Sequence, residues 1–175
     1  MPALDFVPRD RIDIDLGIRV DAHMQSSATG IYAAGDAAEC IDIARRTGWV
    51  NAIWPEAVAQ GRLAGMNMAG RPVAYDGSLS RNVIRIFDLD VMTAGLPEPP
   101  AEEGYRAVWE FNPRTGTYRK LVFRDDNLVG MTQVNDIEQG GLLVSLIRSR
   151  VPIRHRPEAL LDPTFNFRKL MTNLR

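Results

Sequence analysis

The stretch Thr29-Gly30-Ile31-Tyr32-Ala33-Ala34-Gly35-Asp36, running on into Ala37-Ala38-Glu39, constrains the fold more than any other. It reads as a short buried strand, Ile31 to Ala34, followed by a glycine turn that carries an acid. Glycine at such a turn lets backbone approach a ligand closely, because no side chain stands in the way. An aspartate directly after it accepts hydrogen bonds from hydroxyls, and the free N–H groups beyond can face a phosphate. Strand, glycine, acid and open amides together suit a polyol phosphate. The plainer alternative is a buried strand that ends in an ordinary turn.

On either side the chain shows contrasting periods. Ile12, Ile14, Leu16, Ile18 and Val20 alternate with Asp13, Asp15, Gly17 and Arg19, which predicts a half-buried strand bent at Gly17. Asp13 and Asp15 fall on one polar face of that strand, so a solvated face is preferred over a metal pair. After a loop from Cys40 to Ile53, Pro55 suits the first position of a helix, and Gly70 with Pro72 marks its end. Val58, Leu63 and Met66, beside Ala59 and Ala69, are its expected apolar side, with Gly61 and Gly65 allowing close approach to another element.

Near Gly70 the character changes. Arg71-Pro72 and Gly77-Ser78 read as a linker, and a second module follows. Asn82–Ile86 and Val91–Ala94 read as short strands, and Tyr105, Ala107, Trp109 and Phe111 alternate. Tyr118–Arg124 and Leu128–Val134 are further strands, joined by turns at 112–116 and 125–127. Such strands make an antiparallel meander. Asp136 is the expected cap of a helix from Ile137 to Ser149, and Pro157 and Pro163 begin two short helical pieces, the last over about 164–171.

Several of these residues resemble a known family. Gly17-Ile18-Arg19-Val20-Asp21, Met24-Gln25-Ser26-Ser27 and Gly30-Ile31-Tyr32-Ala33-Ala34-Gly35-Asp36-Ala37-Ala38-Glu39 are similar to the second FAD-contacting segment of the pyridine nucleotide-disulfide oxidoreductase superfamily. Ser26 and Thr29 stand where that pattern usually has threonine and often proline. Trp54 to Arg62 resembles the helix after the flavin turn in the rubredoxin-reductase and nitrite-reductase-like branch. Tyr118 to Val122, Leu128-Val129-Gly130, Asp136, Gly141-Leu142 and Leu146-Ile147-Arg148 resemble the same branch's C-terminal domain, with Asn135 where glycine is frequent.

The resemblance implies an α/β remnant of an FAD domain over residues 1–72. It also implies an α+β C-terminal domain over 78–175, an antiparallel sheet with a packed helix. It implies that Gly35, Asp36 and Ala37 meet the ribityl and pyrophosphate part of FAD, with the amide of Ala38 alongside. Trp54, Pro55, Glu56 and Ala57 would bring a helix N-terminus to the flavin ring. There, unpaired amides and the positive dipole end would stabilise negative charge near N1 and O2.

Neither glycine-rich dinucleotide fingerprint of a complete family member occurs in the sequence, nor does a Cys-x-x-Cys pair. The chain is therefore expected to be the C-terminal portion of a larger flavoprotein, with NAD(P)H acting through the part not present. Alone it is expected to be inactive, to bind FAD weakly or not at all, and to self-associate through its first 70 residues. Its expected partners are the remaining FAD and NAD domains, a second copy in a homodimer, or an electron-acceptor protein. A non-catalytic module for dimerisation or docking is the competing reading.

A net charge of −1 gives no electrostatic reason for nucleic acid or an anionic membrane as partner, and no apolar run reaches a membrane span. Cys40 is the sole cysteine, which excludes an internal disulfide and suits a reducing cytoplasm. It reads as a small packing residue rather than a redox centre.

Overall fold

A computed structural model describes residues 2–101, 104–153 and 156–166. The chain divides into two compact units, Met1–Ser80 and Arg81–Arg175.

The first unit has little regular structure. A small sheet joins β1 (Ile18–Arg19), β2 (Ala38–Ile41) and β3 (Gly48–Trp49), with β1 parallel and β3 antiparallel to the central β2. The alternating stretch from Ile12 to Val20 is not one strand: the chain doubles back, and Ile14 bridges Ile18 across a turn at 15–17. The cause is Glu39. Its buried carboxylate accepts the N–H groups of Leu16 (2.8 Å) and Gly17 (3.2 Å), which draws the turn onto β2. A Cβ at Gly17 would meet Ala37 O and Val50 Cγ2 at 2.8 Å, so only glycine fits there.

Ile31 to Ala34 likewise forms no strand. Tyr32 makes a single bridge to Gln25, Ala33 N bonds Met24 O, and Ile31 stays exposed. Nor is the 77–80 segment a free linker. Ser78 bridges Asp42, Ser78 and Leu79 are fully buried, and Asn51 Nδ2 donates to both Asp42 Oδ2 and Ser78 Oγ at 2.7 Å.

Helix α1 (Trp54–Met68) begins and ends where Pro55 and Gly70 predict, but its buried face differs from the expected one. Glu56, Gln60 and Ala64 are buried at four-residue spacing, while Val58 is exposed. Nothing among the described residues comes within 4 Å of a Cβ built on Gly61 or Gly65, so neither glycine marks a close approach here.

The second unit is a five-stranded antiparallel sheet in the order β4 (Arg81–Ile86), β5 (Leu89–Gly95), β8 (Asn127–Val134), β7 (Thr117–Arg124), β6 (Tyr105–Asn112). Helix α2 (Gly140–Ser149) packs on β8 and β5 and buries Leu143, Leu146 and Ile147 against the sheet. Leu121, Phe123, Leu128 and Met131 supply buried sheet positions. This is the α+β architecture expected, with α2 starting three residues later than predicted.

Asp136 does not cap the helix; its carboxylate pairs with Arg119 Nη2 at 2.7 Å, and Gln139 takes the cap position without a side-chain bond to the helix, its Nε2 donating to Pro163 O instead. Gly140 stands first in α2 because a Cβ there would collide with Met92 Sδ on β5. Pro157–Leu161 forms a short 3-10 turn, whose Leu161 carbonyl accepts from Arg119 Nη1 at 2.9 Å. Most of the helix expected over about 164–171 lies outside the described residues. No helix among the described residues is long and apolar enough to cross a membrane.

Candidate functional site

The turn after Ala34 is a 3-10 turn, Gly35–Ala37, seated on α1. Gly35 adopts φ +73°, a left-handed conformation that glycine takes without strain. Its N–H donates to Gln60 Oε1 at 2.8 Å, and a Cβ in its place would press on Ala57 Cβ at 3.3 Å. Both conformation and contact therefore select glycine. The result is a turn locked to the helix with Asp36 exposed at its middle.

Asp36 lines a cavity of about 480 Å³ together with Pro2, Leu16, Trp49, Val50 and Ala52. The walls are mainly apolar with one carboxylate, and the size lies within the roughly 300–1,000 Å³ typical of small-molecule pockets. The Arg45 guanidinium stacks on Trp49 at 3.9 Å from the ring centroid, which steadies that wall. One expected donor is closed: the Ala38 N–H bonds back to Gly35 O, so it is not open to a phosphate.

The first turn of α1 differs from expectation in its amides and in Glu56. Ile53 O accepts the N–H groups of Glu56 (3.1 Å) and Ala57 (3.0 Å), and Pro55 has no N–H to give. Trp54 is 82% exposed and Pro55 is exposed, so both stand on the outer side of the turn. Glu56 is turned inward and 1% exposed, and Tyr75 Oη donates to its Oε2. Gly35 and Ala57 are thus in direct reach and Asp36 faces the cavity, while Trp54 and Pro55 do not line it.

Gln60 and Tyr75 were missed as members of this cluster. The available signal was a glutamate and a glutamine one turn apart in a helix otherwise rich in Ala and Gly. Burial, and then the neighbouring Glu56, push the Tyr75 phenol well above its ordinary value. Cys40 is buried behind Gln60, whose Nε2 lies 3.5 Å from Sγ, and burial pushes the thiol up as well. A raised thiol is a poor nucleophile, in keeping with a packing role. Among the described residues no group of His, Cys, Asp and Glu is placed to hold a metal ion.

Comparison with known proteins gives this geometry a context. Residues 81–151 match the family model of the rubredoxin NAD+ reductase C-terminal domain. The chain is 35% identical over 161 residues to the NADH-dependent phenylglyoxylate dehydrogenase subunit epsilon of Aromatoleum evansii, covering 89% of this chain and 38% of that protein. It is 31% identical over 149 residues to the NADH-rubredoxin oxidoreductase of Clostridium acetobutylicum, covering 85% and 36%. The fold also matches a chain in the crystal structure of the covalent putidaredoxin reductase–putidaredoxin complex, with a TM-score of 0.74 at 21% identity, over 93% of this chain and 37% of the other. The chain thus spans little more than a third of the length of these relatives.

Proposed function

We propose that this chain, homologous to the pyridine nucleotide-disulfide oxidoreductases and with residues 81–151 belonging to the rubredoxin NAD+ reductase C-terminal domain family, completes the FAD site of an NAD(P)H oxidoreductase. The observation that carries the reading is the Gly35–Ala37 turn. It is pinned to α1 through Gln60 and presents Asp36 to an apolar cavity. FAD, when bound, would supply the redox chemistry, passing electrons from a nicotinamide to a protein or small acceptor.

The residues present fit such a group. Asp36 is placed to accept hydrogen bonds from ribityl hydroxyls, and Gly35 and Ala37 let backbone come close beside it. Ala57 props the turn from beneath. Trp54 and Pro55, on the outer side of the helix's first turn, are the side chains available to the ring. Glu56 contributes from the interior rather than by contact. We assign the first unit, expected over 1–72 and carried on to residue 80 by the buried Ser78 and Leu79, to the FAD domain, and residues 81–175 to the C-terminal domain, in a cytoplasmic enzyme.

Substituting Asp36→Ala in the flavoprotein that carries this chain tests the reading. Hydrogen bonds to a charged group contribute roughly 1.5–3 kcal/mol each, so losing two weakens FAD by at least about a hundredfold. Flavin absorbance of the purified protein measures it, and an unchanged FAD content would sink the assignment.

A second reading, a module for dimerisation or acceptor docking that binds no cofactor by itself, draws support from the second unit. Val83, Ile84, Ile86, Phe87 and Leu89 are all exposed on and beside the edge strand β4. Contiguous exposed apolar surface of this kind marks interaction sites. Light scattering on the whole chain distinguishes a self-associating module from a monomer.

A further inference from the structure

The exposed face of α1 is apolar, where a helix that faces water is charged and polar. Glu56 and Gln60 are on its buried side, and Arg62 is the only charged residue on its exposed side. Val58 and Met68 are 52% and 66% exposed, Trp54 heads the same stripe, and Gly61 and Gly65 lie open between them. These five positions are spaced four, three, four and three residues apart, which keeps them in one line along a helix. A helix that is apolar all round is a covered one. Within this chain, among the described residues, nothing comes within 4 Å of a Cβ built on either glycine.

The shape and chemistry of the face select what covers it. Bare backbone at two positions four residues apart admits the ridge of another helix, and a strand, with its period of two, does not follow that line. One charge along the whole face calls for an apolar partner without acidic side chains in series. The same unit pairs β1 parallel to β2, an arrangement that α/β folds cover with helices on both faces. The chain also spans only 38% of the phenylglyoxylate dehydrogenase subunit and 36% of the NADH-rubredoxin oxidoreductase, so most of such a protein lies outside it.

We propose that the outer face of α1 from Val58 to Met68 seats a second helix, apolar and small-sided, from the part of the parent flavoprotein outside this chain. The inference rests on the reading above only in placing the chain within a longer flavoprotein, and it holds whichever residues meet FAD.

Gly65→Cys, labelled with a maleimide and read by peptide mass spectrometry, tests the proposal, with the buried Cys40 as a slow internal reference. In the 175-residue chain the new thiol is expected to react as an exposed cysteine does, at a rate independent of protein concentration. In the flavoprotein that carries the chain it is expected to react at least about tenfold more slowly, because labelling then waits on local opening. Equal rates overturn the proposal. Slow labelling of the chain alone that quickens on dilution assigns the face to a second copy and overturns it too. Gly61→Leu supplies a second measurement. Leucine is the better helix former and meets open space, so the chain alone should keep or raise its melting temperature. The same side chain, wedged between two helices, is expected to lower that of the flavoprotein, and an unmoved value there overturns the proposal. FAD absorbance is read separately: protection of Gly65→Cys in a flavoprotein found without FAD overturns the cofactor reading and supports this one.

Discussion

Nine polar or charged side chains are buried among the described residues. Seven of them, Ser26, Glu39, Asp42, Asn51, Glu56, Gln60 and Ser78, belong to the first unit, and only Arg119 and Gln133 to the second. The strands tell the complementary story. Those of the first unit have two to four residues, and those of the second have six to eight. The second unit is held by ladder hydrogen bonds and apolar packing between sheet and helix. The first has two small apolar clusters, one around Met24 and Cys40 and one around Leu4, Ile12 and Ile18, but almost no ladder, and its loops are tied together by side chains bonding to backbone at a handful of places. A fold of the second kind spreads its stability over many small contacts, whereas one of the first kind depends in addition on a few particular hydrogen bonds. Substitutions should therefore fail for different reasons in the two units.

The largest effect is expected at Gly130 on β8, where a Cβ would run into the carbonyl of Leu96 and lie 2.9 Å from Pro97 N. Both obstacles are backbone, so neither can swing aside. Gly130→Ala should cost on the order of 4 kcal/mol or more, in the exceptional range for a single change. Hydrogen exchange by mass spectrometry would show protection lost over residues 81–153 and kept over 2–80. Equal loss in both units would break the contrast drawn here.

Glu39→Gln comes next. The amide keeps one acceptor oxygen but loses the charge that serves both Leu16 N and Gly17 N, and leaving a buried donor poorly paired costs about 1–3 kcal/mol. Exchange should then rise over residues 12–20 and 38–41, with the meander unaffected. An unchanged exchange pattern would mean that the turn at Gly17 stands without its staple.

Alkaline pH should also separate the units. Burial first, and Glu56 second, raise the Tyr75 phenol above its ordinary value near 10, so the folded unit holds that proton more tightly than the unfolded chain does. The contribution is whole below about pH 10 and is lost progressively as pH rises above it. Cys40, raised mainly by burial, acts in the same sense from slightly lower pH. Urea titrations between pH 8 and 11, followed by Trp49 and Trp54 emission with Trp109 replaced by Phe, should show the decline, and Tyr75→Phe should flatten it. A decline of equal steepness in that variant would remove Tyr75 from the account.

The smallest effect is expected at Glu98, whose carboxylate pairs with Lys120 Nζ at 2.5 Å while its side chain is 83% exposed. Exposed pairs contribute about 0–1 kcal/mol, so Glu98→Gln should leave the melting temperature of the second unit within error. A clear drop would show that this unit, too, leans on individual polar contacts.

The same contrast explains how much could be read from the sequence. The meander was legible because its information is local: alternating residues between tight turns specify both strand and register. The turn residues anticipated at 112–116 and 125–127 lie where β6 meets β7 and β7 meets β8. In the first unit the decisive residues act at a distance. Nothing near Ile12–Val20 announces that Glu39 will fold that alternation back on itself, and a strand is the natural reading without it. The buried face of α1 was misread because hydrophobicity was taken as the guide, while the residues turned inward are Glu56, Gln60 and Ala64. The Gly35-Asp36 turn was legible as a motif and through its resemblance. Its attachment to Gln60 depends on a contact twenty-five residues away in sequence. The start of α2 was misplaced for a similar reason, since Asp136 had a rival partner in Arg119.

Phe87 sits at the tip of the β4–β5 hairpin, in a two-residue turn closed by the Ile86–Leu89 pair, with φ +54° and 93% of its surface exposed. A bulky residue pays a conformational penalty there, and hairpins of this shape favour glycine at that position. The aromatic ring recovers nothing by burial. If libraries of this chain were evolved in the laboratory for resistance to heat alone, position 87 should be among the first to drift, toward glycine. Retention of phenylalanine in natural sequences under the same comparison would be a record of selection for something other than thermal endurance.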